Sequence, residues 1–412
     1  VGVPGYKSRL IDKTLATLLV QLPAVMVTGP RAAGKTTTAG RHAVNIVRLD
    51  RPQEAAAFRA DPDVALGGYE EPILLDEWQE VPSVLGAVKR AVDRDPRPNR
   101  FVLTGSVRAD LEAATWPGTG RIVRVPMYGM TVRELAGKAE GPSLLDRLAS
   151  GGPLRVPDDS PDLRGYVELA LRGGFPDPAL STSESVRARW LEGYVEQLLT
   201  RDAAGIDSRR DPARLRRYFE AYALNTAGIV SDTTLLRAAG INRRTAVAYE
   251  QLLTNLFVVE AMPAWTSNRL RRLSLGPKRY FVDPAIPAAV LHLDADAVLR
   301  DGDLFGRLLD TFVAAQLRAE CASSDSRPRL YHLREEHGRR EVDVLAEFGG
   351  RDLLAFEVKA DAAPGRDAAR HLTWLRDRLG ERFAGGIVFH TGPRAFKLDE
   401  KITAAPISML WG

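Results

Sequence analysis

The sequence is poor in lysine and nearly devoid of cysteine. Of its 412 residues 57 are basic, yet only 9 of these are lysine, so arginine supplies almost all positive charge. The single cysteine, Cys321, excludes an intrachain disulfide framework and any cysteine-rich metal site, and it predicts a reducing, cytoplasmic setting. No apolar run approaches the roughly 18 residues that cross a bilayer, because Gln21 and Pro23 interrupt the best candidate. Ile11, Leu15, Leu18, Leu19 and Leu22 recur at helical spacing, which predicts an amphipathic helix rather than a signal peptide. His332, His337 and His371 have no metal-binding spacing. No membrane partner is expected.

A chain of this length predicts two to four domains of about 100 to 200 residues each. Its charge is unevenly spread. Residues 201–280 hold 14 Lys+Arg against 7 Asp+Glu, a balance of 14 − 7 = +7 within a total of +4. The middle of the chain is therefore the basic part, and an acidic partner is expected there.

The octapeptide Gly29-Pro30-Arg31-Ala32-Ala33-Gly34-Lys35-Thr36 fits GxxxxGK[ST] and follows the apolar run Ala24 to Val27. Such a loop wraps polyphosphate with backbone N–H groups, and its glycines sit where side chains would block approach. Lys35 is expected on the β- and γ-phosphates and Thr36 on magnesium, with Thr37 completing the nucleotide set. Pro72-Ile73-Leu74-Leu75-Asp76-Glu77 reads as a buried parallel strand delivering two acids at its C-terminal edge. Asp76 is expected to hold magnesium and Glu77 to activate the attacking water. A further strand, Phe101 to Leu103, ends in Thr104-Gly105-Ser106, either a hydroxyl sensor beside the γ-phosphate or a polar turn. Arg121 before the strand Ile122 to Val125 is either a charge-stabilising arginine, in cis or from a neighbour in a homo-oligomer, or a solvated surface residue.

With GPRxxGKTT, LLDEWQ, LTGS and GR in order, residues 7 to 135 resemble the prokaryotic AAA-type ATPases of the AAA_14 family. The remainder resembles the DUF4143 region that follows them, through RGGFPDP at 172 to 178, TTLLRAAGINRRTAVAYEQLLTNLFVVE at 233 to 260, EVDVL and AFEVKA. The fold class expected is α/β: a P-loop NTPase parallel sheet with flanking helices, then a helical and winged-helix module, then a small α/β nuclease-like domain. The boundaries expected are 1–140 for the ATPase, 141–163 for a Gly/Pro/Ser-rich linker, 164–280 for the helical and winged-helix module and 281–412 for the nuclease-like domain.

Thr233 to Ala239, Gly240, then Asn242 to Leu253 read as helix, turn, helix, with Phe257 to Met262 opening a β wing. Asn242, Arg243 and Arg244 start the second helix, the end that meets base edges in a major groove, and Arg269, Arg271 and Arg272 near the wing are candidates for DNA phosphate. The bland alternative is a packing module with solvated arginines. Further on, Asp343 on one strand and Glu357-Val358-Lys359 ending the next bring two acids and an ammonium together, with Glu357 and Lys359 on one face. This resembles the PD-(D/E)xK nuclease core, in which the acids bind magnesium and the lysine polarises water. Asp310, on a helix from Leu304 to Leu317, stands where related sequences carry a glutamate as third acid. An acid-x-Lys triplet arises about once by chance in such a composition, and Asp399-Glu400-Lys401 is a second one. A working Mg²⁺-dependent nuclease, a retained inactive fold and surface salt bridges all remain open. The expected protein binds and hydrolyses ATP with Mg²⁺ and engages DNA. The alternative is a nucleotide-switched regulator of a protein or operator on an inactive nuclease-like scaffold.

Overall fold

The computed structural model describes residues 5–107, 120–180, 183–202, 211–229, 232–273, 275–335 and 339–412. They form two compact units, residues up to 129 with Thr254–Phe257, and residues 130–253 with 258–412.

The first unit is a five-stranded sheet in the order β2-β3-β4-β1-β5, parallel throughout. Its strands are β1 (Ala24–Thr28), β2 (Asn45–Arg48), β3 (Ile73–Asp76), β4 (Phe101–Gly105) and β5 (Val123–Pro126). The three central strands are apolar without alternation and buried throughout, because helices cover both faces. Ala24, Met26, Ile73, Leu75, Phe101 and Leu103 fill one face, and Val25, Val27, Leu74 and Val102 fill the other, the period-two division a strand imposes. The N-terminal amphipathic helix is present as Asp12–Leu19, with Leu15 and Leu19 buried.

The second unit contains a helical segment, a helix-turn-helix, a two-stranded ribbon and a six-stranded mixed sheet. The helices Asp232–Ala239 and Arg243–Asn255 flank Gly240, whose φ of +64° suits the turn to a residue without Cβ. The ribbon pairs β6 (Val259–Met262) antiparallel with β7 (Lys278–Phe281). The sheet order is β12-β13-β11-β10-β9-β8, from β8 (Arg329–Glu335), β9 (Arg340–Phe348), β10 (Asp352–Val358), β11 (Phe383–His390), β12 (Phe396–Asp399) and β13 (Ile402–Pro406). The helix Arg370–Leu379 makes the crossover between the parallel neighbours β10 and β11. The long helix Gly302–Ser323 packs on one face, where Phe312, Val313 and Leu317 meet Val344, Leu354 and Phe356.

Segment 141–163 is not a free linker. Leu144 and Leu145, in the short helix Leu144–Ala149, are buried in the core of the second unit, and Leu144 N–H donates to Glu320 Oε2 at 2.7 Å. Gly and Pro content marked the bends correctly, but two adjacent leucines outweigh them. Likewise the first unit ends at 129 rather than 140. Arg133 pairs with Glu320 at 3.0 Å and caps three carbonyls, at Lys138, Glu140 and Pro142, so residues 130–149 belong to the second core.

Candidate functional site

The loop between β1 and the helix Lys35–Gly40 turns through two left-handed residues, Ala32 (φ 59°) and Gly34 (φ 88°). Gly29 is required for a reason other than phosphate approach. A Cβ there would lie 1.9 Å from the Met127 carbonyl oxygen, so the glycine lets β1 and the chain after β5 lie together. Arg9, buried, donates to Ala33 O at 2.9 Å and Tyr128 O at 2.8 Å, tying the loop to its surroundings. The motif gave no hint of it.

Lys35 is 4% exposed and donates to Pro30 O at 2.8 Å, a carbonyl of its own loop. Burial pushes its ammonium down to about 8, against the pull of Glu77 and Asp76. Thr36 Oγ1 donates to Asp76 Oδ1 at 2.7 Å, and the Thr104 hydroxyl donates to the same oxygen. Burial raises Asp76, while these two hydroxyls oppose the shift. Glu77 takes a left-handed backbone (φ 53°), which bends the chain off β3 toward β4. Its N–H donates to Thr104 Oγ1 at 3.3 Å, and its Oε2 accepts from Ser106 Oγ at 3.0 Å and from Gln79 Nε2. Gly105 admits the buried Trp78 ring, since a Cβ there would meet the indole nitrogen at 2.4 Å. Gln79 and Trp78 belong to LLDEWQ, where spacing alone assigns them no role.

An ammonium, a hydroxyl and a carboxylate gathered at the C-terminal edge of a parallel sheet are the donor set that magnesium and polyphosphate need, so these residues fit Mg²⁺-ATP. Arg121 stands apart. It precedes β5 and so lies at the opposite, N-terminal edge, where its Nε pairs with Asp93 at 2.7 Å and the side chain is 43% exposed. The structure thus places Arg121 at the sheet edge away from the loop, paired with Asp93.

In the helix-turn-helix, Asn242 Oδ1 caps its own helix by accepting from Thr245 N–H at 2.9 Å, and Asn242, Arg243 and Arg244 are exposed. Arg271 is exposed, and the side chain of Arg269 lies outside the described residues, as does His337. Arg272 is not available to DNA. Its guanidinium forks onto Glu347 at 2.8 and 2.9 Å, donates to Thr266 O at 2.6 Å and stacks over Trp265 and Tyr331. That ion pair is 10% and 5% exposed.

The C-terminal acids fall into two groups, Asp310 with Asp343 and Glu357 with Lys359. A register shift between β8 and β9 places an extra residue at Asp343 and Val344, the kind of bulge that re-aims side chains. Lys359 Nζ lies 2.8 Å from Glu357 Oε2, and His371 Nδ1 lies 3.4 Å from Glu357 Oε1. Asp310 and Asp343 meet through Lys278, which no motif marks. Lys278, on β7 and 2% exposed, donates to Asp310 Oδ2 at 2.5 Å and Asp343 Oδ1 at 3.0 Å. Tyr280 donates to Asp310 Oδ1 at 3.3 Å, and Val358 N–H donates to Asp343 Oδ2 at 3.0 Å. All four oxygens of the two aspartates thus accept from the protein, and an ammonium stands between them. Burial alone would lower Lys278, but Asp310 and Asp343 outweigh it and hold the group well above its ordinary value. The residues do not fit a divalent cation here, and no cluster of three potential ligands occurs among the described residues. In this arrangement Asp310 and Asp343 pair with Lys278, while Glu357 pairs with Lys359.

The first unit therefore has the fold and loop of a P-loop NTPase. Residues 21–136 match the family model described as an AAA domain, and residues 305–410 match the Domain of unknown function DUF4143, so the chain carries the AAA domain and DUF4143 region that the motifs suggested. Residues 163–297 match a separate model, Domain of unknown function DUF8612, which takes in the RGGFPDP and helix-turn-helix stretches assigned above to DUF4143. The chain is 29% identical over 402 residues to Uncharacterized protein Rv2008c of Mycobacterium tuberculosis and, equally, to Uncharacterized protein Mb2031c of Mycobacterium bovis, covering 96% of this chain and 82% of each. Among solved structures, the Walker-type ATPase PABY2304 of Pyrococcus abyssi aligns with 68% of this chain and 94% of its own at a TM-score of 0.43 and 13% identity. Among the described residues no helix is long and apolar enough to cross a membrane.

Proposed function

We propose that this protein is a Mg²⁺-dependent ATPase whose nucleotide cycle controls how its second unit engages DNA. The observation that carries the reading is the hydrogen-bonded chain from Thr36 through Asp76 to Thr104, with Glu77 set beside it by Ser106 and Gln79. Lys35 turns from Pro30 O to the phosphates of the nucleotide. Thr36 and Asp76 would hold magnesium, which would supply charge neutralisation at the phosphates. Glu77 accepts the proton of the attacking water, and Ser106 and Gln79 keep its carboxylate aimed. Arg243 and Arg244 at the exposed start of their helix supply the DNA contact, supported by the +7 balance of residues 201–280. The C-terminal acids have no nuclease step in this reading, because Lys278 stands between Asp310 and Asp343.

The test is a comparison of Lys35→Ala and Glu77→Gln with the parent protein. Lys35→Ala is expected to lose tight ATP binding and turnover together. Glu77→Gln is expected to keep ATP bound while hydrolysis falls by about 10²-fold or more. Parental turnover in Glu77→Gln would remove Glu77 from the base role, and parental turnover in Lys35→Ala would overturn the assignment.

A further inference from the structure

The acidic cluster of the second unit has the residue types of a metal site and a protein cation at its centre. Lysine is rare in this chain, 9 residues in 412, yet Lys278 and Lys359 both lie at this cluster. A lysine ammonium is a compact charge with three donors, whereas a guanidinium is a planar fork. Of the two, the ammonium is the better stand-in for a small ion between two carboxylates. Lys278 reaches the cluster from the β6–β7 ribbon, the element that follows the helix-turn-helix, while Asp310 comes from the helix Gly302–Ser323 and Asp343 from β9.

We propose that the Lys278 ammonium is the resident cation of this nuclease-like site, taking the place between Asp310 and Asp343 that a divalent ion would occupy and binding the ribbon to the sheet. Three further contacts hold the ribbon segment in the same position: Trp265 N–H to His332 O at 2.6 Å, His332 N–H to Pro263 O at 3.0 Å, and the Trp265 indole to Glu347 at 3.0 Å. Tyr280, two residues along β7 and on the same face, adds its hydroxyl to Asp310. The ion is therefore covalently part of the chain, and its seat is made by the fold. Removing the lysine side chain leaves the Asp310 and Asp343 carboxylates without the ammonium that pairs with both. This assignment is independent of ATP hydrolysis and of DNA binding.

Mn²⁺ is the probe. Full-length, nucleotide-free protein and its Lys278→Met variant are titrated with Mn²⁺ by electron paramagnetic resonance, and thermal unfolding is followed with and without the ion. Lys278→Met is expected to bind one more Mn²⁺ per chain than the parent, to unfold at lower temperature, and to recover much of that loss with Mn²⁺. Adding Asp343→Asn to the variant is expected to abolish the extra site. Any Mn²⁺ in the parent that Asp343→Asn removes would overturn the proposal, as would a folded Lys278→Met that gains none. Should Lys278→Met fail to fold, the triple variant K278M/D310N/D343N decides the matter. It is expected to fold, since the uncompensated charge is gone, and its failure would likewise overturn the proposal.

Discussion

At the scale of a single residue, Lys35 links burial to function most directly. A lysine that is nearly fully buried and pushed down to about 8 is only partly charged in mildly alkaline solution before nucleotide arrives. Polyphosphate binds the charged form, so its arrival raises the lysine back toward its ordinary value. The sign follows: affinity is full below about 8 and is lost as pH rises through the free-protein value, with a proton taken up on binding. ATP affinity is therefore expected to weaken by up to about tenfold per pH unit above that point. Calorimetric titrations in buffers of different ionisation enthalpy would show the uptake at pH 9 and its near absence at pH 6.5. An affinity and proton count that stay flat over this range would mean that Lys35 remains fully charged in the empty loop.

At the scale of elements, two arginine-bearing helices that look alike in sequence have opposite fates. Arg243 and Arg244 open the second helix of the helix-turn-helix and are exposed, while Arg272 is committed to Glu347 between two aromatic rings. Their substitutions should separate cleanly. Alanine at Arg244 is expected to leave stability within about 0.5 kcal/mol, and alanine at Arg243 or Arg244 to weaken DNA binding by about 1–3 kcal/mol each. Alanine at Arg272 is expected to cost about 3–5 kcal/mol of stability, since it leaves Glu347 buried without its guanidinium, and to spare DNA affinity while the protein is folded. Denaturant unfolding beside fluorescence anisotropy on a labelled duplex would read both. The same contrast explains what could be read from sequence. The phosphate loop, the acids ending β3, the hydroxyls after β4 and the helix-turn-helix depend on local spacing, and spacing is visible in one dimension. The fate of Arg272 depends on Glu347, which lies 75 positions away, and that of Lys278 on acids 32 and 65 positions away. No periodicity connects such residues. The linker at 141–163 misled for a related reason. Its glycines and prolines describe the local bends, and the core that buries Leu144 and Leu145 is assembled from residues far along the chain.

At the scale of the whole molecule, the proposed switch is a statement about coupling between two ligands, and coupling has a property that does not depend on how the units are arranged. If ATP changes the affinity for duplex DNA by some factor, DNA must change the affinity for ATP by the same factor. Couplings of this kind are typically about 1–3 kcal/mol, or about 5–150-fold. In the Glu77→Gln variant, where ATP is expected to persist unhydrolysed, both affinities can be measured at equilibrium, each with the other ligand absent and saturating. The two ratios should agree and depart from one. In the parent protein the same coupling should appear as a change in ATP turnover on adding duplex DNA. Supercoiled plasmid incubated with the parent protein in Mg²⁺ is expected to emerge uncut, because Lys278 fills the position a nuclease would give to its metal. Ratios of one in both directions would uncouple the nucleotide from DNA and assign the switch to a protein partner. DNA cleavage that disappears in Lys359→Ala would instead reinstate the C-terminal acids as a working site, since only a catalytic arrangement, and no scaffold, would make cutting depend on the ammonium beside Glu357.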